Sequence, residues 1–140
     1  MDPLTTTNVK AYFDLDSRIV YIHYNGILGA DVTASVYEWL EELLEWVGTE
    51  NILGEIFDFR NVVEFTPDNL MEARSKSRTM NFTRNTKAIP VAMVVDDPVH
   101  EQILRGPMRN VPEKNPRKII VDTMSEAIAF IQNWHKENAS

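Results

Sequence analysis

An α/β domain built on a mostly parallel sheet is the fold class this sequence predicts, and three observations predict it. Short segments rich in β-branched and aromatic residues alternate with longer amphipathic ones along nearly the whole chain. One of the short segments, Ala88 to Val95, is apolar at almost every position, as a strand buried on both faces must be. Three helix starts carry their own signature: Thr66-Pro67, Asp97-Pro98, and Thr123 followed three residues later by Glu126. The expected order is β-β-α-β-α-β-α-β-α, a five-stranded mostly parallel sheet with an antiparallel N-terminal strand, in one domain over residues 1–140.

Taken in order, Val9 to Leu15 and Arg18 to Tyr24 alternate as two strands around the polar turn Asp16-Ser17, the second ending at Asn25-Gly26. From Asp31 the apolar residues Val32, Val36, Leu40, Leu43 and Val47 recur at helical spacing, and Gly48 stops the helix. Ile52 to Phe59 is the next strand. The helix opened by Thr66 as N-cap and Pro67 runs to about Arg84; its weak apolarity predicts a place at the margin of the fold. Pro90 belongs near the start of the strand Ala88 to Val95, because proline donates nothing to a central ladder. The Asp97-Pro98 helix continues through Leu104 to a stop at Gly106-Pro107, and a basic loop leads into the strand Lys118 to Asp122. The last helix follows the capping box at Thr123 and carries Ile128, Ile131 and Trp134.

Composition narrows the function classes. With 44% apolar and 25% charged residues the chain has the means to bury a core unaided. The absence of cysteine excludes disulfides, thiolate nucleophiles and iron–sulfur clusters, and fits a cytoplasmic protein. No apolar run reaches the roughly 18 residues that span a bilayer, and the first residues have neither the basic nor the apolar region of an export signal, so an integral membrane protein is not expected. A formal charge of −7 opposes nonspecific nucleic-acid binding. The charge is unevenly placed: residues 1–72 hold three basic and fourteen acidic side chains, residues 73–118 ten basic and four acidic.

The element order, with the block Ile56-Phe-Asp-Phe-Arg-Asn-Val-Val-Glu-Phe-Thr-Pro-Asp-Asn-Leu70, resembles the STAS superfamily. It is more closely similar to the SpoIIAA-like branch, with its opening hairpin, an Asp-x-Arg after the third strand and an Ala-Ile-x-x-Ile-x-x-Trp face on the final helix. The resemblance implies a fold that works by binding protein partners or small apolar molecules, without chemistry of its own. In anti-sigma factor antagonists a serine at the start of the second helix is phosphorylated; here Pro67 and Asp68 stand at the serine positions. Thr66 keeps a hydroxyl at that turn, which helix capping also explains.

Other constellations have plain readings. Asp96-Asp97 lacks the third carboxylate and the lysine of a magnesium site, and Asp97 serves as the cap before Pro98. His23, His100 and His135 have no ligand-like spacing, so no metal is expected. Without a G-x-G-x-x-G, a P-loop or a G-x-S-x-G elbow, no cofactor, nucleotide site or serine nucleophile is expected either. Glu38, Glu41, Glu42 and Glu45 fall on the solvated side of the first helix. Trp39 and Trp46, two turns apart, form either core or an interface for a homodimer. Arg74, Lys76, Arg78, Arg84 and Lys87 make a basic patch with no acidic residue from Ala73 to Ala88.

The reading reached is a non-catalytic binding or regulatory module for a small anionic or apolar ligand or a protein partner. Its rivals are a hydrolase using Asp58, Arg60 and His100, and a purely structural homo-oligomerisation unit. The expected ligand site is the corner formed by Asp58, Arg60 and Thr66, where a neutral helix cap, an arginine at the strand's exit and the basic run coincide.

Overall fold

The computed structural model describes residues 1–105 and 116–138. Their strands are β1 (Leu4–Thr5), β2 (Val9–Asp14), β3 (Ile19–Leu28), β4 (Gly54–Phe65), β5 (Val91–Val94) and β6 (Lys118–Val121). The helices are α1 (Ala30–Val47), α2 (Pro67–Thr83), α3 (Pro98–Arg105) and α4 (Met124–Asn138), with a 3₁₀ turn at Thr49–Asn51. The strands form one sheet in chain order; β1 and β2 pair antiparallel with their successors, whereas β3 to β6 are parallel.

The sheet therefore has six strands where five are expected. The addition is β1, whose Leu4 and Thr5 pair with Ala11 and Lys10. Two residues are too few to show a period. The indole Nε1 of Trp39 donates to the Asp2 carbonyl at 3.0 Å and pins this segment to α1.

The turn before β3 rests on Asp14, whose carboxylate accepts from the Asp16 N–H at 3.1 Å and the Ser17 hydroxyl at 2.8 Å. Strand β3 continues past Asn25-Gly26 to Leu28 through two register shifts, and β4 continues past Phe59 to Phe65. The central β5 starts just after Pro90, whose carbonyl accepts the Glu55 N–H at 3.0 Å. Gly48 ends α1 with φ of +89°, its N–H returning to Leu44 O at 2.9 Å. The caps at Thr66, Asp97 and Thr123 form as their sequence signatures predict. The stop at Gly106-Pro107 and the basic loop after it lie outside the described residues.

Alternation along the strands divides the core between the two faces of the sheet. Val20, Ile22, Phe57, Phe59 and Val91 belong to the cluster completed by Val36, Leu40 and Leu43 of α1 and Met80 of α2. Ile19, Ile56, Ala92 and Val94 face the opposite way and meet Ala127 and Ile131 of α4. That contact needs Gly54: a Cβ there would lie 2.6 to 2.9 Å from Ile131 side-chain carbons.

Helix α2 lies on the outside of the fold as its weak apolarity predicts, with only Asn69 and Met80 buried. It packs beside α1, tied by its buried Asn69, whose amide donates to Gly29 O at 3.0 Å and bonds the Thr33 hydroxyl. At its far end Arg84 pairs with Glu41 and Glu45 of α1. Its weak apolarity accompanies both this exposure and the open space between it and the sheet.

Candidate functional site

A cavity of about 630 Å³ lies under α2, within the roughly 300–1,000 Å³ usual for small-molecule sites. It exists because the side of α2 toward the sheet carries Ala73, Arg74, Ser77, Arg78 and Asn81 instead of large apolar residues. Its apolar wall comes from the sheet: Tyr24 of β3, Phe57 and Phe59 of β4, and Val91 and Met93 of β5, with Phe65, Leu70 and Leu104 around them. Tyr24, Phe57 and Phe59 stack with centroids 5.1 to 6.5 Å apart, a rigid aromatic surface held by neighbouring strands.

The polar lining is concentrated and partly charged. Arg74 and Arg78, one turn apart on α2, stand exposed at the rim. Lys118, at the start of β6, reaches across so that its Nζ donates to Ser77 Oγ at 3.5 Å, and Arg117 precedes it. Burial lowers the Lys118 amine, as does the Arg117 charge, against the opposing pull of Glu55. Tyr37 of α1 is pushed up to about 12 by burial and by Glu55, although its bond to Ser77 and the charge of Arg117 act the other way. Glu55 is itself 8% exposed. Burial raises its carboxyl, and the charges of Arg117 and Lys118 only partly offset that.

Of the site residues expected from sequence, Arg74 and Arg78 line this cavity, whereas Asp58, Arg60 and Thr66 do not. Asp58 and Arg60 do meet: the carboxylate accepts from Arg60 Nε at 2.9 Å, Nη2 at 3.0 Å and the Arg60 backbone N–H at 3.1 Å. The fourth bond, at 2.8 Å, is to Nδ1 of His23 on β3, Cα partner of Asp58 across the ladder. This group belongs to the sheet face opposite the cavity, beside the stacked rings of Tyr12 and Tyr21. Arg60 lies inside β4, not at its exit, and five residues of extended chain separate it from Thr66, a span of roughly 20 Å. No common corner of Arg60 and Thr66 forms. The Thr66 hydroxyl is engaged locally, donating to Leu28 O at 3.1 Å, accepting from the Asn69 N–H at 3.3 Å and touching Asp68.

His100 does not join Asp58 and Arg60 either. Its backbone N–H donates to the Asp97 carboxylate at 3.1 Å and its ring stands edge-on to Phe65 at 5.1 Å. His135 Nε2 meets the Leu53 carbonyl at 2.6 Å. Among the described residues no group of three His, Asp or Glu side chains is placed to hold a metal ion. The basic patch divides: Arg74 and Arg78 reach the cavity, Lys76 pairs with Glu72 at 3.7 Å, Arg84 clamps α1, and Lys87 is exposed. Trp39 is buried at 7%, whereas Trp46 is 74% exposed, so only the second offers surface for association.

Sequence reasoning missed Tyr37, Glu55, Ser77 and Lys118. Glu55 left one trace, a charge flanked by apolar residues within a strand that also carries Asp58.

No model of a known protein family matches the chain, and no curated protein is similar to it in sequence. Solved structures are similar in shape. A protein of the DUF3478 family from Shewanella loihica PV-4, with a SpoIIAA-like fold, superimposes with a TM-score of 0.57 at 13% identity, over 91% of this chain and 98% of that one. The fold is SpoIIAA-like. The unphosphorylated anti-sigma factor antagonist SpoIIAA aligns with a TM-score of 0.49 at 9% identity, covering 99% and 98% of the two chains. On this SpoIIAA-like frame the cavity occupies the face covered by α1 and α2. Among the described residues no helix is long and apolar enough to cross a membrane.

Proposed function

We propose that this chain is a binding module whose cavity takes a small acid with an apolar body. The observation that carries this reading is the pairing of the stacked wall of Tyr24, Phe57 and Phe59 with Arg74, Arg78 and Lys118 around one space of about 630 Å³. An apolar body gains from leaving water against the wall, at about 25 cal/mol per Å² buried. The carboxylate gains charge-assisted hydrogen bonds from the arginine forks and the lysine.

Regulation by such a ligand runs through α2, the roof of the cavity. Its other side exposes Met71 and, at 89%, Phe82, apolar surface that a protein partner would meet.

The test is a thermal-shift comparison of straight-chain and aromatic carboxylates with their matched alcohols. An acid at about 100 times its Kd stabilises the protein by about 2.7 kcal/mol, a rise of several degrees, and its alcohol does much less. The Arg74→Ala/Arg78→Ala double variant narrows the difference. Equal shifts with acid and alcohol, or none with either, would remove the reading.

A further inference from the structure

We infer that Glu55 is the cavity's acceptor for a hydrogen-bond donor on the ligand, so that the acid taken up also bears a hydroxyl or N–H group on its apolar body. The inference rests on the acid-binding reading of the cavity and narrows its ligand class.

The Glu55 backbone is accounted for, since its N–H donates to Pro90 O at 3.0 Å within the β4–β5 connection. Its side chain is different. It shares the cavity face of β4 with Phe57 and Phe59, is more than nine-tenths buried, and lines the cavity, yet among the described residues no hydrogen bond or ion pair to its carboxyl is found. Its oxygens open onto the cavity with the charges of Arg117 and Lys118 nearby but, among the described residues, no protein donor bonded to them, and an acceptor so placed gains from a donor on whatever fills the space.

The ladder register explains why Lys118 does not fill that role. Glu55, Val91 and Lys118 lie in one row across β4, β5 and β6. Two strand spacings, roughly 9–10 Å of backbone, separate the glutamate from the lysine, with the small Val91 between them. Lys118 turns toward α2 and Ser77. The cavity floor thus has a donor-rich side, Lys118 with the α2 arginines above it, and an acceptor at Glu55. A ligand matched to both sides carries its acid toward the first and a donor toward the second.

The experiment is isothermal titration of hydrocinnamate and of its ortho-, meta- and para-hydroxy derivatives into the wild-type chain and Glu55→Leu. In the wild type at least one hydroxylated acid binds about tenfold or more tighter than the parent, the effect of pairing a buried acceptor otherwise left bare. In Glu55→Leu that ratio falls to near one while the parent acid binds as well as before or better. If no hydroxylated isomer exceeds the parent in the wild type, or the preference survives in Glu55→Leu, the assignment of Glu55 is overturned and the acid-binding reading stands. If none of the four acids binds, both fall. The wild-type ratio needs no variant, and Glu55→Met replaces Glu55→Leu should the latter not fold.

Discussion

Two buried carboxylates three residues apart on β4, on opposite faces of the sheet, have opposite fates. Burial raises Asp58, but the hydrogen bonds from Arg60 and His23, the Arg60 backbone N–H and the Arg60 charge outweigh it and hold the carboxyl below its ordinary range. An unfolded aspartate titrates near about 4, so the native state's advantage is whole above that pH and drains away as pH falls through the lower, folded value. Asp58→Asn accordingly costs about 1–3 kcal/mol at pH 7, and its deficit relative to wild type shrinks below about pH 4; urea midpoints across that range check it. Glu55 has the reverse sign. Its carboxyl is raised by burial, so as pH climbs from the unfolded value the native state must either keep the proton or bury a charge, and stability is lost. Glu55→Gln should match wild type in acid and exceed it at neutral pH in the same measurement. The sequence grouped Asp58 with Arg60 as an Asp-x-Arg at the strand's exit, whereas both lie within β4, where neighbours two apart share a face. The third member was not legible: His23 is 35 residues away, and only the β3–β4 register brings it to Asp58.

At the scale of elements, local chemistry is what the sequence reveals and long-range fit is what it conceals. The starts at Thr66, Asp97 and Thr123 were readable because a cap is a contact between residues two or three apart. The extension of β4 to Phe65 was not, since the stretch Arg60 to Glu64 alternates too weakly to be called a strand without its partner β3. Two joints follow from tertiary packing alone. Gly54→Ala places a methyl against Ile131 and should destabilise the protein by about 1–3 kcal/mol, with Ile131→Val on the same chain recovering part of it; denaturant unfolding of the two single variants and the double variant measures the coupling. Asn69→Ala removes the tie between α2 and the start of α1, leaving Gly29 O without that donor. Amide exchange should then rise first in α2, while α4 on the other face keeps its protection.

For the molecule as a whole, the charge asymmetry in the sequence pointed to α2 and to its N-terminal end. The basic run lies on α2, but the ligand-sized space is beneath the helix, lined by Arg74 and Arg78 in its middle, and not at its N-terminus by Thr66. A cavity has no sequence pattern of its own; its shadow was the low apolarity of α2, which fits an exposed margin equally well. The measurement that bears most directly on the central claim is amide chemical-shift mapping of the isotope-labelled chain during titration with a hydroxylated hydrocinnamate. The account predicts saturable shifts at Tyr37, Glu55, Phe57, Ser77 and Lys118, with His23 and Arg60 on the opposite face unmoved. Shifts centred on His23, Asp58 and Arg60, or none at saturating acid, would contradict it.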